Sequence, residues 1–277
     1  MFSNYKNKPL NAIVFPGSHD AGITGGGANA QTQTYDILEQ ATAGARYFDV
    51  RLLARARGRG IETYHGKGLL GPETGKIMLS GTWGLGLTKI IDDCNAFLDA
   101  HGSEFLILRI SKSKPWPDIA QAFIDGLGNR LYRGGGNLNL KTPEQLKGKI
   151  VVVFDEAARV ELGKKTFSAT NDAFNIPITF SYVKSLIGDD DGSHKPYKRD
   201  YDGLQYFGKF GATTFKGALL SKGKSIDKKI SVNKEKQIKA LISGASHAKS
   251  SPEILGMMYW TTTGVFQDII KRNAEMW

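Results

Sequence analysis

Short apolar runs that stop abruptly at polar or glycine-bearing residues recur along this chain, and the segments between them carry helical periodicity. Residues 12–15 run into Pro16-Gly17, as a buried strand runs into a loop. Residues 35–43 have helical character, 47–52 alternate as a strand does, and 61–64 form a short strand candidate ending at His65-Gly66. Between 87 and 100, Ile90, Ile91, Cys94, Phe97 and Leu98 fall on one helical face, with the apolar strand 105–110 directly behind. A helix with proline in its first turn suits 117–131, and Thr142-Pro143-Glu144-Gln145 is a helix start. Residues 149–154 (Lys-Ile-Val-Val-Val-Phe) are the clearest strand, because consecutive β-branched side chains favour extended backbone.

Between 156 and 229, Gly, Asp and Lys are abundant; only 176–183 and 204–207 are strand-like, so long loops are expected there. A helix over 234–243, a strand over 254–260 and an amphipathic helix over 265–276 follow. Strands alternating with helices predict an α/β fold with a largely parallel sheet. A barrel of such units takes about 250 residues as one domain, so the 277 residues are read as a single domain, 1–277.

The formal net charge of +10 draws the chain toward phosphate-rich partners, whether nucleic acid or anionic lipid, without choosing between them. With Cys94 as the only cysteine, neither a disulfide framework nor a thiolate metal site can be assembled. No window approaches 18 apolar residues, so no membrane-spanning helix is expected, and residues 1–10 lack an apolar core of signal-peptide length.

Three stretches, each at the end of an expected strand, hold the chemistry: Pro16-Gly17-Ser18-His19-Asp20, Arg46-Tyr47-Phe48-Asp49-Val50-Arg51 and Tyr64-His65-Gly66. In a parallel barrel the C-terminal strand ends share one rim, where residues far apart in sequence converge. Singly the signals are weak, since a His-Asp pair in a loop is usually a local hydrogen bond and Asp-x-Arg on a strand is more often a structural ion pair. Together, two imidazoles, two carboxylates and a guanidinium cover the roles of acid and base chemistry on a phosphate.

Pro-Gly-Ser-His-Asp-Ala-Gly after the first strand, Gly-Ala-Arg-Tyr-Phe-Asp-Val-Arg around the second and Tyr-His-Gly at the third resemble the X-type catalytic domain of bacterial phosphatidylinositol-specific phospholipases C. The resemblance implies an irregular TIM (β/α)8-type barrel. It also implies a first step in which the inositol 2-hydroxyl attacks its own phosphate and diacylglycerol leaves. His19 would be the general base on that hydroxyl and His65 the general acid on the leaving glycerol oxygen. Asp20 would pair with the acid histidine, the kind of ion pair that keeps an imidazole protonated. Arg51 would hold the non-bridging phosphate oxygens, standing where eukaryotic members of the superfamily place calcium-binding carboxylates. No metal and no cofactor are therefore expected. Asp49 would face the same pocket and fix His65 or Arg51, or serve a structural role.

The chain also departs from that family. The last-strand aspartate that orients the base histidine is replaced within Tyr259-Trp260-Thr261-Thr262-Thr263; a threonine hydroxyl substitutes, or a carboxylate such as Asp155 or Asp202 reaches in. An arginine that binds inositol hydroxyls is replaced within Phe154-Asp155-Glu156. Tyr259, Thr261 and Asp155 are thus substrate-side candidates, together with Lys112, which is equally a solvated rim lysine.

The expected partners are phosphatidylinositol and the bilayer surface, met peripherally by a secreted monomer. Leu69, Leu70, Trp83 and Trp116 are read as loop residues that either insert at headgroup level or pack under a loop. One competing reading is a phosphodiesterase for another glycerophosphodiester or a sphingolipid, whose relatives hold magnesium with Glu-x-Asp where this chain has Asp49-Val50-Arg51. The other is a non-catalytic basic module for membrane or nucleic acid; no nucleic-acid-binding motif supports it.

Overall fold

A computed structural model describes residues 3–26, 31–66, 81–133, 140–154 and 158, together with the backbone of 203–207 and 254–259. Among these residues the apolar runs form a six-stranded sheet in the order β7-β6-β2-β1-β9-β8, where β1 is Val14–Ser18, β2 Tyr47–Val50, β6 Leu106–Ile110, β7 Ile150–Phe154, β8 Gly203–Phe207 and β9 Ile254–Tyr259. Every pairing in it is parallel. The α/β class with a parallel sheet is as expected; among the described residues the sheet is open, with β7 and β8 at its edges.

Both faces of β2, β6 and β7 are covered, as parallel sheets require. Phe48 and Val50 of β2 join Leu106, Leu108 and Ile110 of β6 in a large apolar cluster with the helices outside. Tyr47, one residue out of phase, packs on the other face with Phe15, Ile107, Val151 and Val153. The alternation of 47–50 therefore separates two buried faces, not a core from solvent.

The helices begin where their capping residues stand. Asp36 and Glu39 close a capping box at α1 (Ile37–Thr42), and Thr142 and Gln145 do the same at the short α4 (Pro143–Leu146). The single apolar stripe of α2 (Leu87–Ala100) buries Ile90, Cys94 and Phe97. Helix α3 (Trp116–Leu127) stops at Gly128, whose φ of 50° no β-branched or bulky residue tolerates cheaply. Burying a side chain such as Phe123 or Ile119 of α3 contributes about 1.5–3 kcal/mol, so truncating Phe123 would loosen this layer.

The structure corrects the placement of residues 61–64. They lie in β4 (Ile61–His65), an antiparallel partner of β3 (Leu52–Ala54) and β5 (Thr82–Gly86) in a separate three-stranded sheet, not in a parallel stave. Residues 82–86, read as loop, are the strand β5. This small sheet is fastened to the chain after β1: Gly22 O accepts from Leu85 N at 2.8 Å and from Thr63 Oγ1 at 2.9 Å. Gly84 permits the approach, since a Cβ there would stand 2.1 Å from Gly22 O. The expected segments 176–183, 234–243 and 265–276 lie outside the described residues.

Candidate active site

The C-terminal ends of β1, β2 and β6 open on one rim, and the polar groups gather there. His19 and Asp20 follow β1 directly, Arg51 follows β2, and Ser111 follows β6. The loop after β1 is held by buried polar groups that the sequence reading did not single out. Gln33 Nε2 donates to His19 O at 3.0 Å, Thr32 Oγ1 to Asp20 O at 2.8 Å and Gln40 Nε2 to Ala21 O at 2.9 Å. The backbone amide of Ala21 donates to Asp49 O at 2.9 Å. So tied, Asp20 keeps the left-handed conformation at φ 47°, which Asp and Asn adopt more readily than other side chains.

Asp20 is the centre of the site, its side chain 1% exposed. Its Oδ2 lies 2.8 Å from His65 Nδ1, which is hydrogen-bonded to it, and 2.9 Å from His19 Nδ1. Its Oδ1 lies 3.1 Å from Arg51 Nε. Burial pushes the Asp20 carboxyl up, but the Arg51 charge and the two imidazoles outweigh it and hold the group well below the ordinary carboxylate range. His65 reaches this carboxylate from the antiparallel sheet and keeps 30% of its side chain exposed, so it sits at the mouth of the site.

The other side of His19 meets β2. Its Nε2 is 3.4 Å from Arg51 Nη2 and 3.4 Å from Asp49 Oδ2. Asp49, read as fixing His65 or Arg51 or as structural, accepts at Oδ1 from Arg109 Nη1 of β6 at 2.6 Å and from Ser111 Oγ, just after that strand, at 3.1 Å. Burial again raises the carboxyl, and Arg109, then His19 and Arg51, bring it below its ordinary value. Arg109 and Ser111 were missed in the sequence. The available signal was a lone arginine inside the apolar run 105–110, which a buried strand tolerates only when paired.

His19, Asp20, Asp49, Arg51 and His65 are thus brought together. His19, Asp20 and Asp49 each offer a ligand atom, all within 4.8 Å of one another, so the donor set could coordinate a cation. Both carboxylates already face a guanidinium, Asp20 that of Arg51 and Asp49 that of Arg109, and these charges oppose metal entry.

The peripheral candidates divide. Lys112 is exposed on the rim after β6, with a left-handed φ of 49°. Trp83 lies in β5 and not in a loop; half-buried, it packs edge-on against Tyr64 at 5.0 Å and beneath the Arg55 guanidinium at 5.3 Å. Trp116 is 1% exposed and packs edge-on against Phe154, so the expectation that it meets a membrane is withdrawn: its ring forms part of the α3 core. Leu69, Leu70, Asp155, Thr261 and Asp202 lie outside the described residues, as does the side chain of Tyr259. No helix among the described residues is long and apolar enough to cross a membrane.

Comparison with known proteins gives a consistent kinship. No family model matches the chain. It is 31% identical over 160 residues to a 1-phosphatidylinositol phosphodiesterase of Staphylococcus aureus strain Newman, a match covering 52% of this chain and 46% of the relative. A protein of the same name from a second S. aureus strain matches equally, over 44% of its length. The match thus spans less than half the length of these curated relatives. Among solved structures, a variant of the phosphatidylinositol-specific phospholipase C from S. aureus aligns with a TM-score of 0.55 at 20% identity, covering 95% of this chain and 76% of that one. The phosphatidylinositol-specific phospholipase C from Listeria monocytogenes aligns with a TM-score of 0.50 at 17% identity, over 99% and 82%. At such identities the structural likeness speaks for the fold, and the sequence match for a relationship to the bacterial phosphatidylinositol phosphodiesterases.

Proposed function

We propose that the chain is a phosphatidylinositol-specific phospholipase C that releases diacylglycerol and inositol 1,2-cyclic phosphate without a metal ion. The observation that carries this reading is the Asp20 carboxylate bridging two imidazoles beside the Arg51 guanidinium. The kinship with 1-phosphatidylinositol phosphodiesterases supports it.

In this mechanism His19 takes the proton of the inositol 2-hydroxyl as that oxygen attacks phosphorus. Its Nδ1 faces Asp20, which leaves Nε2 as the nitrogen that accepts the proton. Once Nε2 is protonated, Asp49 Oδ2 at 3.4 Å stabilises the imidazolium. His65, hydrogen-bonded to Asp20 through Nδ1 and open to solvent at the mouth, gives the proton on its Nε2 to the leaving glycerol oxygen. Arg51 has its Nη2 near His19 and its Nε near Asp20, and so presents the guanidinium to the phosphate oxygens between them.

The parallel sheet, in this reading, belongs to an irregular (β/α)8-type barrel forming one domain, with Lys112 on the substrate side of the rim. The enzyme works as a secreted monomer, and its net charge of +10 draws it to anionic bilayers, more weakly as salt rises. Phosphorus NMR of the products from phosphatidylinositol and phosphatidylcholine vesicles, with and without EDTA, tests it. A cyclic phosphodiester from phosphatidylinositol alone, unaffected by EDTA and lost in His19→Ala, is expected. Abolition by EDTA would instead favour the second reading, a metal-dependent phosphodiesterase acting on another headgroup.

A further inference from the structure

Strands β2 and β6 pair with Tyr47 opposite Ile107 and Asp49 opposite Arg109, so the two buried charges occupy the rung directly above an apolar one. Arg109 is 6% exposed in a strand whose other members are apolar. A guanidinium is tolerated there only when paired, and among the described residues Asp49 pairs with it. Arg109 and Ser111 both bind Oδ1 of Asp49. Two donors on one oxygen fix the rotation of the carboxylate, and the fixed rotation points Oδ2 at His19 Nε2, 3.4 Å away.

We propose that Arg109 is a positioning residue for His19: gripping Asp49 through Oδ1, it aims Oδ2 at the imidazole nitrogen that takes up the proton and offsets part of the carboxylate's charge. Arg109 acts from the rung below the rim, through Asp49. The inference rests on the reading of His19 as the base, and it adds a buried pair supplied by a neighbouring strand as the device that tunes that base.

Among the described residues, the charged groups around His19 include Asp20 at Nδ1, Asp49 and Arg51 at Nε2, His65 across Asp20, and Arg109 behind Asp49. Removing the Arg109 charge leaves this surround more negative, and an imidazole in a more negative field holds its proton to higher pH.

The test is the titration of the histidine side chains in the full chain by ¹⁵N-edited NMR, with the His19 signals identified by their loss in His19→Ala. In Arg109→Gln the His19 midpoint is expected to rise by about one pH unit. In the Asp49→Asn background the same substitution should add less than about half of that shift, because the route through the carboxylate is gone. Arg109→Lys, which keeps the charge, should leave the midpoint near that of the parent. Should Arg109→Gln fail to fold, Ser111→Ala removes the other Oδ1 donor and is expected to raise the midpoint by a few tenths of a unit. An unmoved midpoint in whichever of the two variants folds, or a full-sized shift in the Asp49→Asn background, overturns the proposal. A purely structural pair would change the unfolding temperature and leave the His19 midpoint alone. Because the titration is read without lipid, a chain that cleaves no phosphatidylinositol would end the functional reading and still answer this question.

Discussion

Asp20 Oδ2 stands 2.8 Å from His65 Nδ1 and 2.9 Å from His19 Nδ1, so one carboxylate oxygen serves both imidazoles. The two histidines are 46 residues apart in sequence, one just after a strand of the parallel sheet and the other ending a strand of the antiparallel one, and the carboxylate between them is what makes them one site. Replacing Asp20 by Asn keeps a side chain that tolerates φ 47° and removes the charge from both rings at once. The expected outcome is a folded protein with kcat lowered by about 10²–10⁴, measured as release of water-soluble phosphate from phosphatidylinositol vesicles. Asp20→Ala should lose comparable activity and in addition about 1–2 kcal/mol of stability, because alanine is strained in that conformation.

Most of the parallel sheet was legible because its strands are short, mainly apolar segments, and α2 appears over 87–100 as its apolar stripe indicates. The antiparallel sheet was not legible in the same way. Residues 61–65 have the composition of any short strand, and nothing local says that their partners are Leu52–Ala54 and Thr82–Gly86. The site divides similarly. His19, Asp20, Asp49, Arg51 and His65 stand in dense polar motifs, whereas Arg109 meets Asp49 only through the register of strands 60 residues apart. Gln33 and Gln40 escaped notice because their task, holding backbone carbonyls of the His19 loop, is set by tertiary contact.

Arg51 touches both Asp20 and His19 with different nitrogens. Lysine offers a point charge and cannot span two such partners while presenting two parallel donors to a phosphate. Arg51→Lys is therefore expected to lower kcat by about 10²–10³, with a smaller effect on KM, in the same vesicle assay. Added calcium should not restore the variant, since the lost group is a directional donor.

Both buried carboxyls sit below their ordinary range, Asp20 by Arg51 and the histidines, Asp49 mainly by Arg109. In acid the folded state then binds fewer protons than the unfolded chain, so stability must fall as pH falls. The contribution is fully present above about pH 4, where the unfolded carboxyls are ionised, and is lost progressively as pH drops toward the depressed folded values. Urea unfolding followed from pH 6 to pH 2.5 should show this decline. Asp49→Asn should be less stable than the parent at pH 6, by about 3–5 kcal/mol for a broken buried pair, and should decline less steeply below pH 4.

Gly84 sets the distance between the two histidines by a different route. A β-carbon at this position would stand 2.1 Å from Gly22 O and 2.6 Å from Thr63 Oγ1, and the nearest obstacle is backbone that cannot rotate away. The same carbonyl accepts from Leu85 N and Thr63 Oγ1, so relief of the clash must stretch the bonds that tie the antiparallel sheet to the loop after β1. That loop carries His19 and Asp20, and that sheet carries His65. Gly84→Ala is expected to cost about 1–3 kcal/mol of stability, read by thermal unfolding. It should also lower kcat at temperatures where the variant is fully folded, because lifting the sheet lengthens the 2.8 Å contact between His65 and Asp20. A folded variant with lost stability and unchanged kcat would mean that His65 is held in place by something other than this junction.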